Sequence, residues 1–160
     1  MIEIKSPTLL RGYRSKWDQS TNKYVISTCG IDPALKDGYF VTSDCGRIKD
    51  DNLEILGRKD DLINTGGEKI WAKTLEDLIV NIQGVTEAAV LGIPDEKWGQ
   101  KIAAAIVKVD SLSLTGEDIT KAVKSELPNW AIPKEIKFIK ELPKTALGKN
   151  DRAAILKLFS

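Results

Sequence analysis

Gly57-Arg58-Lys59-Asp60-Asp61-Leu62-Ile63-Asn64-Thr65-Gly66-Gly67 divides this chain into two parts of different character. Before it lie short β-rich runs and turn residues; after it, helical and strand patterns alternate. Arg58 sets a planar, multi-donor cation beside the free backbone dihedrals of Gly57. The apolar Leu62-Ile63 step leads into Thr65-Gly66-Gly67, where a backbone without side chains lets a thin ligand pass close by. By itself the stretch supports two readings, an ordinary surface turn or a hinge between two folded parts.

The chain has 160 residues, 42% hydrophobic and 29% charged, which is globular composition with enough apolar material for one good core or two small ones. Lys and Arg number 24 against 23 acidic residues, so no overall field favours nucleic acid or an anionic membrane, and any basic site must be local. No apolar run approaches the roughly 18 to 20 residues of a membrane span, and the start, Met1-Ile2-Glu3-Ile4-Lys5, lacks the apolar centre of a signal peptide. A cytoplasmic protein is expected. Cys29 and Cys45 have no metal-ligand spacing and there is no histidine, so no metal site is expected and His-dependent nucleophilic catalysis is excluded. Any catalysis falls to Lys, Arg and carboxylates.

In the first part, residues 2–5 alternate as a strand and residues 24–28 are β-rich, with Pro7, Gly12, Gly30, Pro33 and Gly38 as punctuation. A strand over 53–56 follows an Asp50-Asp51-Asn52 turn. With few large apolar groups and no helix, these residues are not expected to close a core alone. In the second part, Thr74 and Asp77 predict the cap of a helix over 74–83, with Leu75, Leu78, Ile79 and Ile82 on one face and Gly84 as its stop. Residues 85–93 and 101–109 predict a hairpin with a long Pro94-Asp95-Glu96-Lys97-Trp98-Gly99 loop. Thr115 and Asp118 cap a second helix, with Ile119, Ala122 and Val123 facing inward, ended by Pro128. Residues 134–139 read as a strand and 151–159 as a last amphipathic helix. The fold class is α+β: a small domain of about 100 residues with a three-stranded sheet packed by helices, preceded by a β-rich segment.

Four stretches stand in order along the chain: Asp37-Gly38-Tyr39-Phe40-Val41-Thr42-Ser43-Asp44-Cys45-Gly46-Arg47, Gly57-Arg58-Lys59-Asp60, Thr65-Gly66-Gly67-Glu68, and Leu142-Pro143-Lys144-Thr145-Ala146-Leu147-Gly148-Lys149. As a set they resemble the adenylate-forming superfamily, which includes acyl-CoA synthetases, firefly luciferase and the adenylation domains of peptide synthetases. The resemblance is to the C-terminal third of such an enzyme. It implies that residues 1–58 are the β-rich remnant of the large N-terminal domain and 59–160 the complete lid domain. The phosphate loop and acyl pocket would lie upstream, so the chain is expected to be a fragment or the product of a truncated gene, inactive alone and partnered by the missing domain.

The resemblance also implies residue roles. Asp44 would hold the ribose hydroxyls of ATP, as a carboxylate accepts from two vicinal hydroxyls; Ser43 stands where the family usually has Gly, adding a Cβ that the turn must accommodate. Arg58 would contact ribose and phosphate, and Asp60 would be the hinge about which the lid rotates between two half-reactions. Lys149 would be the catalytic lysine, a mobile cation for the carboxylate and α-phosphate during adenylation, set in a segment that also holds Lys140 and Lys144. Thr65, Gly66 and Gly67 resemble the acyl-CoA ligase form of the pantetheine channel. Trp98, Trp130 and Lys134 resemble the adenine and phosphate contacts of benzoate-type CoA ligases, although Ile132 replaces a base present there. The expected function is an ATP-dependent acyl-CoA ligase acting on a small-molecule carboxylic acid, with CoA and ATP, and with Mg2+ bound mainly by the missing domain. Two rivals remain. Lys149-Asn150-Asp151-Arg152 resembles the ending of peptide-synthetase adenylation domains that load a carrier protein, and the lid fold also suits a non-catalytic binding module.

Overall fold

The computed structural model describes residues 1–5, 13–18, 23–27, 35–36 and 39–160, with side chains for 1–5 and 39–160. Pro7, Gly12, Thr28, Cys29, Gly30, Pro33, Asp37 and Gly38 lie outside the described residues. Two compact units divide the chain, Met1–Asp60 and Asp61–Ser160.

In the first unit the described elements up to Arg58 are all strands. β1 (Glu3–Ile4) and β4 (Leu35–Lys36) flank β5 (Tyr39–Val41), while β2 (Tyr13–Asp18) pairs with β3 (Lys23–Ser27) and β6 (Asp44–Lys49) with β7 (Asn52–Arg58). Asp50 and Asp51 turn the last hairpin with φ of 50° and 59°, the left-handed geometry that matches strand twist, and Asn52 Nδ2 donates to the Asp50 carbonyl at 2.8 Å. None of the described side chains here is buried, and Ile48 and Ile55 are 80% and 66% exposed. The expectation that this segment closes no core of its own therefore holds for the described residues. β2, β4, β5 and β6 had not been expected as strands.

The second unit has its core on both faces of one sheet, ordered β10 (Val85–Asp95), β11 (Gly99–Lys108), β12 (Glu135–Ile139). β10 and β11 are antiparallel, and β12 runs parallel to β11. On one face Val90, Ile102, Ala104 and Ile106 pack with Leu75 and Ile79 of α1 (Ala72–Val80) and Ile119 and Val123 of α2 (Gly116–Glu126). On the other, Ala89, Leu91, Ala103 and Ala105 pack with Leu142 and with Ile155 of α3 (Arg152–Lys157). Each fully buried large aliphatic side chain contributes about 1.5–3 kcal/mol. A second hairpin, β8 (Leu62–Thr65) and β9 (Glu68–Trp71), precedes α1.

The three-stranded sheet, its helices and the cap of α2 agree with the sequence reading. Thr115 Oγ1 accepts from Asp118 N at 3.3 Å while the Asp118 carboxylate accepts from Thr115 N at 2.9 Å. The cap expected at Thr74 is corrected. β9 runs straight into α1, so Trp71 occupies the N-cap position without a side-chain cap; Thr74 lies inside the helix and Asp77 pairs with Lys73. The helix ends at Val80, and Gly84, at φ 94°, opens β10 by accepting Val109 N instead of stopping the helix. The loop between β10 and β11 is also shorter than expected, because Pro94 and Asp95 remain paired with Gln100 and Gly99. Thr115→Ala is expected to lower stability by about 1 kcal/mol, whereas Thr74→Ala stays within about 0.5 kcal/mol of the parent. Urea unfolding of both variants checks the pair, and an equal loss would show that the cap is misplaced.

Candidate functional site

Two tight turns and a short 3-10 helix build one cavity in the second unit. The β8–β9 turn is Gly66-Gly67, with φ of 61° and 91°, and Gly66 N donates to the Trp98 carbonyl at 2.9 Å. Residues 97 and 98 are themselves fixed, because the Asp95 carboxylate accepts from Lys97 N at 3.0 Å and Trp98 N at 2.9 Å. The indole lies so close to Gly66 that a Cβ there would stand 2.6 Å from an indole carbon. Trp98 is nevertheless 46% exposed, with Lys97 Nζ 4.8 Å from its ring centroid. Across from it, Trp130 sits in the Asn129–Ala131 turn with its inner side against the core, and Lys134 follows, its backbone N–H tied to the Ile102 carbonyl at 2.8 Å.

These parts enclose a cavity of about 240 Å³ lined by Thr65, Gly66, Glu68, Trp98, Asn129, Trp130 and Lys134. Five of the six residues expected to contact CoA thus share one cavity. Gly67 does not line it, and a Cβ there would meet nothing within 4 Å. Glu68, part of the Thr65–Glu68 stretch but given no role there, and Asn129, which lies in no motif, also line the cavity. Lys134 also borders an open groove of about 810 Å³ along α2, where Lys121 and Lys124 add positive charge and Glu117 subtracts some. An aromatic face beside a cationic groove suits a purine nucleotide carrying phosphates.

Lys149 stands on a loop pinned at both ends. Thr145 N donates to the Lys149 carbonyl at 2.7 Å, Gly148 N to the Thr145 carbonyl at 2.9 Å, and Asp151 N to the Pro143 carbonyl at 2.8 Å. Lys144 is bound to Glu87 and, at 2.8 Å, to Asn150 Oδ1. The Lys149 side chain is exposed and has no hydrogen bond or ion pair among the described residues. The backbone is therefore ordered while the ammonium stays available.

In the first unit, Asp44 and Arg58 are direct cross-strand partners in the β6–β7 hairpin. The backbone around Asp44 is held by Thr42 Oγ1, which accepts its N–H at 3.0 Å. Ser43 accepts Lys59 N at 2.7 Å and is not among the described positive-φ residues, so its Cβ causes no strain. Asp60 lies in the 3-10 turn Lys59–Asp61, exposed, at the boundary between the compact units.

The half-buried Glu76 of α1 is the one carboxylate in the second unit shifted by its surroundings toward the neutral form. Burial pushes it above the usual carboxylate range, opposed by the Val90 N–H that it accepts at 2.9 Å and by the Arg152 guanidinium.

Residues 74–149 match the AMP-binding enzyme C-terminal domain. The second unit carries the C-terminal domain of AMP-binding enzymes. It is 32% identical over 160 residues to the long-chain-fatty-acid–CoA ligase FadD13 of Mycobacterium tuberculosis, an alignment covering 99% of this chain and 29% of that protein. The structure of ATP-bound MatB from Rhodopseudomonas palustris superposes with a TM-score of 0.81 at 26% identity, over 98% of this chain and 29% of the other. The o-succinylbenzoate CoA synthetase MenE of Bacillus subtilis, solved with its acyl-adenylate intermediate, gives a TM-score of 0.79 at 27% identity, over 96% and 29%. The chain spans less than a third of the length of these relatives. Among its described residues no helix is long and apolar enough to cross a membrane.

In this chain, Gly66→Ala is expected to cost about 1–3 kcal/mol, because the new methyl meets the indole in a backbone region that disfavours it, and to change tryptophan emission. Gly67→Ala should cost less and leave the emission unchanged; the reverse order would refute the contact. Glu76 gives a pH signature. Its folded-state value is raised, so its contribution is fully present below about 4.3, the usual carboxylate value, and is lost as pH rises through the raised value. Wild-type stability should therefore fall relative to Glu76→Gln as pH rises above the usual carboxylate value, as measured by urea unfolding at each pH. Parallel curves would contradict the assignment.

Proposed function

We propose that this chain supplies the lid domain, residues 59–160, and the adjoining edge of the large domain, residues 1–58, of a cytoplasmic ATP-dependent acyl-CoA ligase. The reaction is carboxylate plus ATP to acyl-AMP and pyrophosphate, followed by thioester formation with CoA and release of AMP. The observation that carries this reading is the single cavity shared by Thr65, Gly66, Trp98, Trp130 and Lys134, residues from separate segments that a CoA nucleotide needs together.

In the first half-reaction, Asp44 accepts hydrogen bonds from the ribose and Arg58 supports the nucleotide from the same hairpin. Lys149 brings a cation to the carboxylate and α-phosphate as their negative charges are forced together, an electrostatic contribution that grows toward the transition state. Mg2+ is held mainly by residues outside this chain. Rotation at Asp60 then withdraws Lys149 and brings in the Gly66 turn. In the second half-reaction the exposed face of Trp98 stacks on the adenine, Trp130 closes the cavity, and Lys134 receives phosphate. The acceptor is CoA: the FadD13 and MenE relatives are named for CoA, and the cavity has the aromatic face that free CoA requires.

In the full-length enzyme, Lys149→Ala is expected to slow acyl-AMP formation about a hundredfold, the scale of losing one preorganised charge contact, while supplied acyl-AMP is still converted to thioester at near-normal rate. Trp98→Ala should do the opposite, leaving acyl-AMP formation intact and raising the KM for CoA about tenfold, as expected for losing one base stack. Pyrophosphate exchange and thioester formation measure the two steps. Normal adenylation by Lys149→Ala, or equal loss of both steps, would reduce Lys149 to a solvated surface lysine.

A further inference from the structure

We propose that Arg152 is a positioning residue that ties the Lys149 loop to Asp61, the first residue after the joint, so that rotation at Asp60 is passed to Lys149 without slack. The proposal rests on the reading of Lys149 and Asp60 given above and adds a part to it.

Arg152 Nη1 lies 2.9 Å from Asp61 Oδ1, and Nη2 donates to the Val90 carbonyl at 3.5 Å. The Val90 N–H on the same residue is taken by Glu76. One guanidinium therefore joins the start of the second unit, the outer strand β10 and the start of α3. Arg suits this place because its planar fork presents donors in two directions, which an ammonium cannot do with the same geometry. The ion pair is only partly shielded, with side-chain exposures of 43% for Arg152 and 26% for Asp61, so its expected value is geometric; exposed pairs contribute little to stability.

The link to Lys149 is short and built of fixed parts. Asp151 caps α3, its Oδ1 accepting from Ala154 N at 3.1 Å, and its own N–H holds the Pro143 carbonyl. Asn150 holds Lys144 and shares with Arg152, Glu76 and Val90 a small cavity of about 140 Å³. Between Arg152 and Lys149 stand two residues, Asn150 and Asp151, and each is fastened. Without the Arg152 tether, the loop would keep its internal turn but lose its fixed direction from residue 61. A misplacement of this kind, about 1 Å, is enough to reduce a rate by one to two orders of magnitude.

Two readouts test this. Hydrogen exchange of the chain reports the tether independently of catalysis: Arg152→Gln and, separately, Asp61→Asn should each speed exchange at the Asp151 and Ala154 amides at least fivefold, while amides of the β10–β11 ladder stay protected. In the full-length enzyme, both variants should lower the kcat of acyl-AMP formation about tenfold with the KM for CoA unchanged, the double variant should be no worse than either single one, and Arg152→Lys should recover only part of the loss. Unchanged exchange at Asp151 and Ala154, or a uniform rise that includes the sheet, overturns the tether, as do additive losses in the double variant. If the tether signature is present but Lys149→Ala adenylates normally, the catalytic reading of Lys149 fails and the anchoring role of Arg152 stands.

Discussion

Strand β11 is covered on both faces, and this one constraint places most of the second unit. From Ile102 to Ile106 its side chains are at most 1% exposed. Its partners complement it by size: Val90 lies opposite Ala104, Leu91 opposite Ala103, and Ala88 opposite Ile106. Small residues at the centre let α1 and α2 approach from one side and the Leu142 and Ile155 layer from the other, at interior packing density. A one-residue slip of register would exchange the two faces and bury the wrong set. The first half of the same strand carries the candidate site. Its start closes the turn that fixes Trp98, and the Ile102 carbonyl fixes the backbone of Lys134.

Period and punctuation made much of this legible in the sequence. The β10–β11 pair, α2 with its reciprocal cap and the closing helix follow from local patterns that the tertiary structure leaves unopposed. Where a neighbouring element took over a local signal, the reading missed. Thr74 and Asp77 have the spacing of a cap, but β9 delivers Trp71 to that position and puts both residues inside the helix. The short strands of the first unit carry too few residues for a period to emerge, and β6 was concealed because its residues were read as a motif.

The site divides in the same way. The family resemblance of four ordered stretches, with the tryptophans and Lys134 beside them, is what marks Asp44, Arg58, Thr65, Gly66, Trp98, Trp130, Lys134 and Lys149 as candidates. The contacts that give several of them meaning are non-local and leave no spacing to read: Gly66 against the Trp98 indole, Asp44 opposite Arg58, and Arg152 on Asp61. Trp130 has two environments. A tryptophan in a small domain is most simply core, and this one is partly so, packing on the hydrophobic cluster while its other side lines the cavity. Nothing in its flanking residues separates these two halves.

The lysines of the last loop differ for the same non-local reason, on the electrostatic side. Lys140, Lys144 and Lys149 stand within ten residues of one another and are chemically equivalent as a string. The fold makes them unequal. Lys144 is engaged with Glu87 and Asn150, so using its charge elsewhere would first require breaking those bonds. Lys149 has no such partner among the described residues, yet the backbone carrying it is closed by the Thr145 N–H to its own carbonyl. An ammonium in that state keeps its water until an anion arrives, and the loop loses little backbone freedom on engagement because that freedom is already spent. An ordered backbone under an unengaged charge is the property that a transient electrostatic contact needs. A lysine held by a permanent ion pair would have to give it up at each turnover, and a lysine on a loose loop would lose conformational entropy each time. The pairing of Lys144 thus orders the loop with a neighbour's charge and leaves the Lys149 ammonium unengaged among the described residues, as the proposed role requires.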